Sequence, residues 1–133
     1  MARVHGKKTT ISIDGDDITT YCDTSELTRE ADEHDVSTYG PDDAEYDGGL
    51  KRGSFTMGGL YGTGATGPGA ILRPLIGTVV EVVRKPEGDG VGKPIETFDV
   101  LVKKYVETAP VADYVRWSAE CTKTGAIADT VGA

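Results

Sequence analysis

The sequence predicts a small, loop-rich, mainly β protein. Three observations carry this expectation. Apolar residues recur at every second position in several stretches, the period of a strand with one face in a core. Glycine accounts for 18 of the 133 residues and hydrophobic residues for only 38%, which suits strands and turns better than a helical bundle. Helical patterning is thin. The length favours one domain, 1–133, able to bury a real core.

The elements follow in order. TISI (10–13) places Ile11 and Ile13 on one face. Asp14-Gly15, between Ile13 and Ile18, is a hairpin signal. Asp23 with Glu26 three residues on reads as an N-cap for a helical turn over Asp23 to Leu27. The TREADEHD stretch after it (28–35) fits a charged helix turn and a polar edge strand equally. Residues 36–53 hold Gly40-Pro41 and Asp47-Gly48-Gly49 with few aliphatics, and read as one long loop. A loop longer than about 12 residues is usually functional or disordered. Its Tyr39, Tyr46 and Leu50 suggest that it docks against something.

FTMGGLY (55–61) reads as a strand with Phe55, Met57 and Tyr61 on one side. AILRPLI (70–76) has a helical look, but Pro74 limits it to about two turns. TVVEVV (78–83) is more uniformly apolar, the pattern of a strand buried on both faces. KPEGDGVGKP (85–94) is a hairpin tip. In TFDVLVKKYV (97–106), Phe98, Val100, Val102 and Val106 line one side, and Thr97, Asp99, Lys103 and Tyr105 the other. DYVRWSAEC (113–121) turns Val115, Trp117, Ala119 and Cys121 inward, and Tyr114, Arg116, Ser118 and Glu120 outward.

Charge and motifs narrow the function. A net charge of −8 repels nucleic acid and anionic membranes. There is no apolar run of about 18 residues, so no membrane span is expected. MARVHGKK has charge but no following apolar region, so no secretory signal is expected and synthesis belongs to a cytoplasm. Cys22 and Cys121 are too far apart for zinc spacing. Both are expected to be reduced, with Cys121 a small core residue.

Gly62, Gly64 and Gly67 spell G-x-G-x-x-G between a strand and a helix, the fingerprint of a dinucleotide loop. A Rossmann unit also needs a long crossover helix and an acid ending the next strand. Here the helix is short and Glu81 sits mid-strand, so these glycines read as a flexible strand-to-helix joint. Asp14-Gly15-Asp16-Asp17 fails the calcium-loop pattern, which needs Gly and Glu where Thr19 and Ser25 stand. Glu30, Asp32, Glu33 and Asp35 read as a solvated face. No Gly-x-Ser-x-Gly elbow is present and neither cysteine has a neighbouring histidine. The expectation is that the chain is not an enzyme and takes no cofactor and no metal.

The order of the pieces is more telling than any single motif. DVSTYG (35–40) leads into a loop, then GGLKRGSFTMGGLYG (48–62), a short helix, a strand and a hairpin tip. A last strand pair is joined by Pro110-Val111-Ala112-Asp113, and Trp117 to Gly125 follows the pattern W/F-S, five residues, then S/T-G. This order resembles the tail tube (major tail) proteins of long-tailed bacteriophages, over nearly the whole chain.

The resemblance implies a β-sandwich or barrel-like tail tube fold flanked by one short α-helix. It further implies hexameric rings that stack into a tube through which DNA leaves the virion, with other tail proteins at the tube ends and no membrane. Inner strands of six subunits would form one barrel around the lumen, and loop 36–53 would reach a neighbouring subunit or ring. Tyr39, Pro41, Tyr46 and Leu50 are the candidate subunit or ring contacts. Asp99, Lys103, Arg116, Ser118 and Glu120 are the candidate lumen-facing residues. An acidic lumen would repel phosphates, so that DNA slides rather than sticks. The alternatives are a head–tail joining protein, a tail terminator, a capsid decoration protein and, from another class, a carbohydrate-binding β-sandwich. Trp117 on the apolar face argues against the last.

Overall fold

The computed structural model describes residues 3, 5–40, 42–64 and 67–132. Seven strands occur in the order β1 (Thr10–Ile13), β2 (Asp16–Asp17), β3 (Thr24–Asp35), β4 (Tyr46–Leu60), β5 (Val79–Lys85), β6 (Pro94–Thr108) and β7 (Arg116–Val131). They form one antiparallel sheet in the spatial order β2-β1-β5-β6-β7-β4-β3. A single short helix, α1 (Pro68–Leu72), runs into a 3-10 turn at Arg73–Leu75. The mainly β class and the short helix ended near Pro74 are as the sequence predicted.

Alternation built most of the core. Ile11, Ile13, Phe55, Met57, Val80, Val82, Phe98, Val100, Val102, Trp117, Ala119 and Cys121 are buried on one face of the sheet, joined by Ile18 and by Leu72 of α1. The rings of Phe55 and Phe98 meet edge to face at 5.3 Å. Trp117 donates its indole N–H to the Tyr21 carbonyl at 3.1 Å, which satisfies the polar end of a buried aromatic.

The sheet rolls over this core instead of staying open. Arg29 of β3 reaches Glu96 of β6 at 2.6 Å and Asp129 of β7 at 2.8 Å. Arg84 of β5 pairs with the other oxygen of Glu96 at 2.8 Å and donates to Ser25 of β3 at 3.2 Å. β3 and β6 are separated by two strands in the sheet, so these contacts cross the fold and close it. Glu96 is the one buried charged residue among those described. Burying it is tolerated because two guanidiniums hold its two oxygens.

Several expectations needed correction. Residues 24–35 form strand β3 at the edge of the sheet, so the capped helical turn expected over Asp23 to Leu27 is absent, and of the two readings of 28–35 the polar edge strand holds. The Asp23 carboxylate bonds Arg116 and Thr24 instead of capping. The predicted long loop 36–53 shrinks to 36–45, because 46–53 belong to β4. That half of β4 is polar on both sides, so it carries no alternation, and its eight residues form strand only by pairing with β3. TVVEVV is buried on one face only, with Val79 57% exposed. Val115 is exposed and precedes the strand.

Tyr105 and Val106 exchange faces. The β6–β7 register slips between Val102 and Lys104. The extra residue, Lys103, reverses the alternation beyond it. Tyr105 therefore turns inward and stacks on Trp117 at 6.2 Å, and Val106 pairs with Ser118 on the outer face.

The glycine fingerprint is a connector, as expected. β4 and β5 are not neighbours in the sheet and no strand pair among the described residues is parallel, so the described residues form no βαβ unit. Gly62 is needed for space: a Cβ there would strike the Tyr21 ring. Residues 65 and 66 of that stretch lie outside the described residues.

The closure makes a prediction. Glu96→Ala should destabilise the fold by about 3 kcal/mol, since two arginines lose a buried partner. Urea unfolding measures it, and a loss below about 1 kcal/mol would mean that the ion pairs do not hold the sheet closed.

Candidate functional site

Three surfaces remain free after folding: an arm, a cleft at its root and the outer face of the sheet. The arm is the far half of the β3–β4 hairpin. β4 pairs with β7 only from Ser54 to Leu60, but with β3 along its length from Tyr46. Residues 29–35 and 46–53 therefore leave the body as a two-stranded ribbon. Its tip is closed by Val36 N–H to the Glu45 carbonyl at 2.9 Å and by Ser37, whose hydroxyl accepts from Glu45 N–H at 2.8 Å. The register slips between Ala31 and Glu33, so that Gly49 and Leu50 together oppose Asp32. Leu50 is left 72% exposed.

Tyr39, Tyr46 and Leu50 all lie on this arm and all face solvent. Pro41 lies outside the described residues. The 30–47 stretch of the arm carries a charge equal to the net charge of the chain. Residues 30–47 contain eight Asp and Glu and no Lys or Arg, which leaves fourteen acids to balance all fourteen bases elsewhere. Asp32 is the one acid of this run with an ion pair among the described residues, to Arg52 at 2.9 Å, and that pair holds its carboxyl below the ordinary range.

The cleft lies where β4 parts from β7. On β7, Gly125, Ala126 and Ile127 oppose Phe98 alone, between the pairs Thr97–Ala128 and Asp99–Thr124. Gly125 takes φ +79°, which a side chain would resist. This bulge bends β7 just past its last pair with β4. The resulting cleft has a volume of about 630 Å³ and is lined by both backbones, with Lys51 on one wall and Lys123 and Ile127 on the other. Arg29 spans it from β3 to Asp129, and its guanidinium holds the Asp129 carboxyl below the ordinary range.

The outer face of β3, β4, β7, β6 and β5 is rich in hydroxyls. Register aligns Glu26, Thr56, Glu120 and Lys104 in one row across four strands. The next rows are Thr24–Gly58–Ser118–Val106 and Thr28–Ser54–Thr122–Leu101–Val79. Asp99 sits between Thr124 and Glu81.

Asp99, Arg116, Ser118 and Glu120 therefore share this face and are exposed, but Lys103 does not pair within it. Lys104 is the cation opposite Glu120, displaced by the bulge. Arg116 is tied to Asp23 at 2.6 Å, which lowers the Asp23 carboxyl. Reading the sequence alone missed Lys104, the hydroxyl rows and the cleft, which depend on register. The charge asymmetry of 30–47 was there to be counted.

Among the described residues no group of three or more His, Cys, Asp or Glu could hold a metal. Burial pushes the Cys22 thiol up to about 12 and the Cys121 thiol up to about 11. Both are free, and Cys121 is the small core residue that its alternation predicted. No helix among the described residues is long and apolar enough to cross a membrane.

No protein-family model and no curated protein sequence matches the chain. Solved structures do. The fold is similar to a chain in the virion of a native gene transfer agent particle, with a TM-score of 0.81 at 16% identity, covering 97% of this chain and 100% of that one. It is similar to a chain in the tail of an empty gene transfer agent particle with C6 symmetry, with a TM-score of 0.78 at 16% identity and the same coverage. The SPP1 tail tube gives 0.77 at 11% identity, covering 97% of this chain and 80% of that one. The fold is thus the one used in these tails.

The latch at the arm's root predicts a pH dependence. A carboxyl with a depressed folded value stabilises above its unfolded value, near 4, and loses that stabilisation as pH falls through the folded one. Asp129 is such a group. Acidification below about pH 4 should raise amide exchange in β3 ahead of β6 and β7, and Asp129→Asn should raise it at neutral pH. Equal protection of β3 in wild type and variant at neutral pH would rule out Asp129 as a latch.

Proposed function

We propose that the chain is a structural subunit of a phage-like tail tube, without catalytic activity. Its copies form six-membered rings that stack into a conduit for DNA, and its place is the virion, with other tail proteins at the tube ends. One observation carries this reading: a fold shared over 97% of the chain with the tail of a gene transfer agent particle of C6 symmetry and with the SPP1 tail tube.

The free surfaces support it. β3 ends the sheet and carries twelve residues of strand whose outer edge is unpaired among those described. An edge that long invites another chain, and pairing between subunits removes the liability. The exposed arm with Tyr39, Tyr46 and Leu50 supplies apolar contacts for a neighbour. The outer sheet face suits a lumen. Its hydroxyls, its acids Glu26, Glu81, Asp99 and Glu120, and Lys104 as the one cation of these paired rows without an ion pair among the described residues offer phosphates little to hold.

Two variants test the reading. Leu50→Asp changes an exposed position, so the monomer should fold with its melting temperature nearly unchanged while sedimentation finds no rings or tubes. Normal tubes from this variant would refute the arm's role. Thr122→Lys places a cation on the proposed lumen face, and its tubes should retain double-stranded DNA at low salt and release it at high salt. Tubes that ignore DNA at every salt concentration would put that face elsewhere.

A further inference from the structure

We propose that the cleft between the arm and the bulged half of β7 is a docking slot for the acidic loop, residues 36–45, of a second copy of this chain. The loop enters as an added strand. The inference rests on the self-assembly reading above and names the surface and the partner segment that this assembly uses.

The cleft has the form that an extended segment needs. β4 is unpaired on the β7 side from Tyr46 to Gly53, and β7 is unpaired on the β4 side from Lys123 to Val131, among the described residues. Apart from the Gly125 carbonyl, which accepts from Lys123 Nζ, each wall is thus a row of backbone donors and acceptors with no strand partner among the described residues. An incoming strand satisfies such rows by β-augmentation. Gly125 and Ala126 keep the β7 wall low, and Ile127, half-buried, gives it an apolar floor.

Charge identifies the occupant. Four cations, Arg29, Lys51, Arg52 and Lys123, line the cleft against two acids, Glu30 and Asp129. Arg29 and Arg52 are held by Asp129 and Asp32, whereas Lys51 and Lys123 make no ion pair among the described residues, and Lys123 donates to the Gly125 carbonyl at 2.7 Å. The loop offers the complement. Asp42 and Asp43 are exposed without a cation, and Tyr39 is fully exposed beside them. No hydrogen bond joins 38–40 or 42–44 to the described residues. The loop cannot serve its own cleft: Asp35 stands four residues beyond Ala31, and extended strand carries the tip about 13 Å past it. The contact is therefore between copies and heterologous, the kind that propagates.

Charge reversal tests it on the full chain. Lys51→Glu with Lys123→Glu, and separately Asp42→Lys with Asp43→Lys, should each raise the concentration for half-assembly at least about tenfold. The four changes together should restore assembly. All four side chains are exposed or half-buried, so melting curves should stay unchanged and report folding directly. A photo-crosslinker in place of Tyr39 should attach to 123–129 of another copy.

Cleft variants that assemble like wild type, a quadruple variant no better than either pair, or crosslinks landing elsewhere would overturn the slot while leaving tube formation intact. Wild-type chain that never assembles would remove the parent reading with it.

Discussion

The buried carboxylate of Glu96, gripped by Arg29 from β3 and by Arg84 from β5, is the point on which the rest of the structure depends. It joins the β3 edge to β6 and β5 above the core that Phe55 and Phe98 close with their ring contact. The clasp brings the β3 edge across the fold, encloses Phe55, Phe98 and Trp117, and fixes where the hairpin leaves the body. The arm's direction and the cleft at its root follow from that geometry. Such a clasp specifies an arrangement more than it adds stability, because desolvating Glu96 and most of Arg84 offsets much of their attraction, while Arg29 stays half exposed.

Wherever burial and strand period agree, the sequence could be read directly. TISI, the start of β6 and the start of β7 alternate, and the predicted inward residues Ile11, Ile13, Phe98, Val100, Val102, Trp117, Ala119 and Cys121 are buried. The short helix could be read from Pro74. Legibility failed for two physical reasons. The arm buries neither face, so residues 46–53 have no apolar rhythm and looked like loop. The bulges at Lys103 and at Gly125–Ile127 shift register by amounts that no local pattern records. One displaced the cation of the outer face from Lys103 to Lys104, and the other opened a cleft whose walls are 70 residues apart in sequence.

Folding leaves the molecule satisfied inside and open outside. Among the described residues no buried side-chain polar atom lacks a partner. The unsatisfied features are all on the surface: the β3 edge, the split between β4 and β7, the acidic arm and Leu50. A monomer meant to stay monomeric hides edges and spreads its charge. This chain gathers eight acids and no Lys or Arg into residues 30–47 and leaves the β3 edge free, which is the behaviour expected of a subunit completed by its neighbours.

Electron microscopy of the purified wild-type protein over a range of concentrations tests the central claim most directly. The account predicts rings with six-fold symmetry and a central opening, stacking into tubes, with the hydroxyl-rich face of β4, β7 and β6 toward the lumen. Monodisperse monomers at every concentration would contradict it, and so would tubes whose lumen is lined by the cationic walls of the cleft.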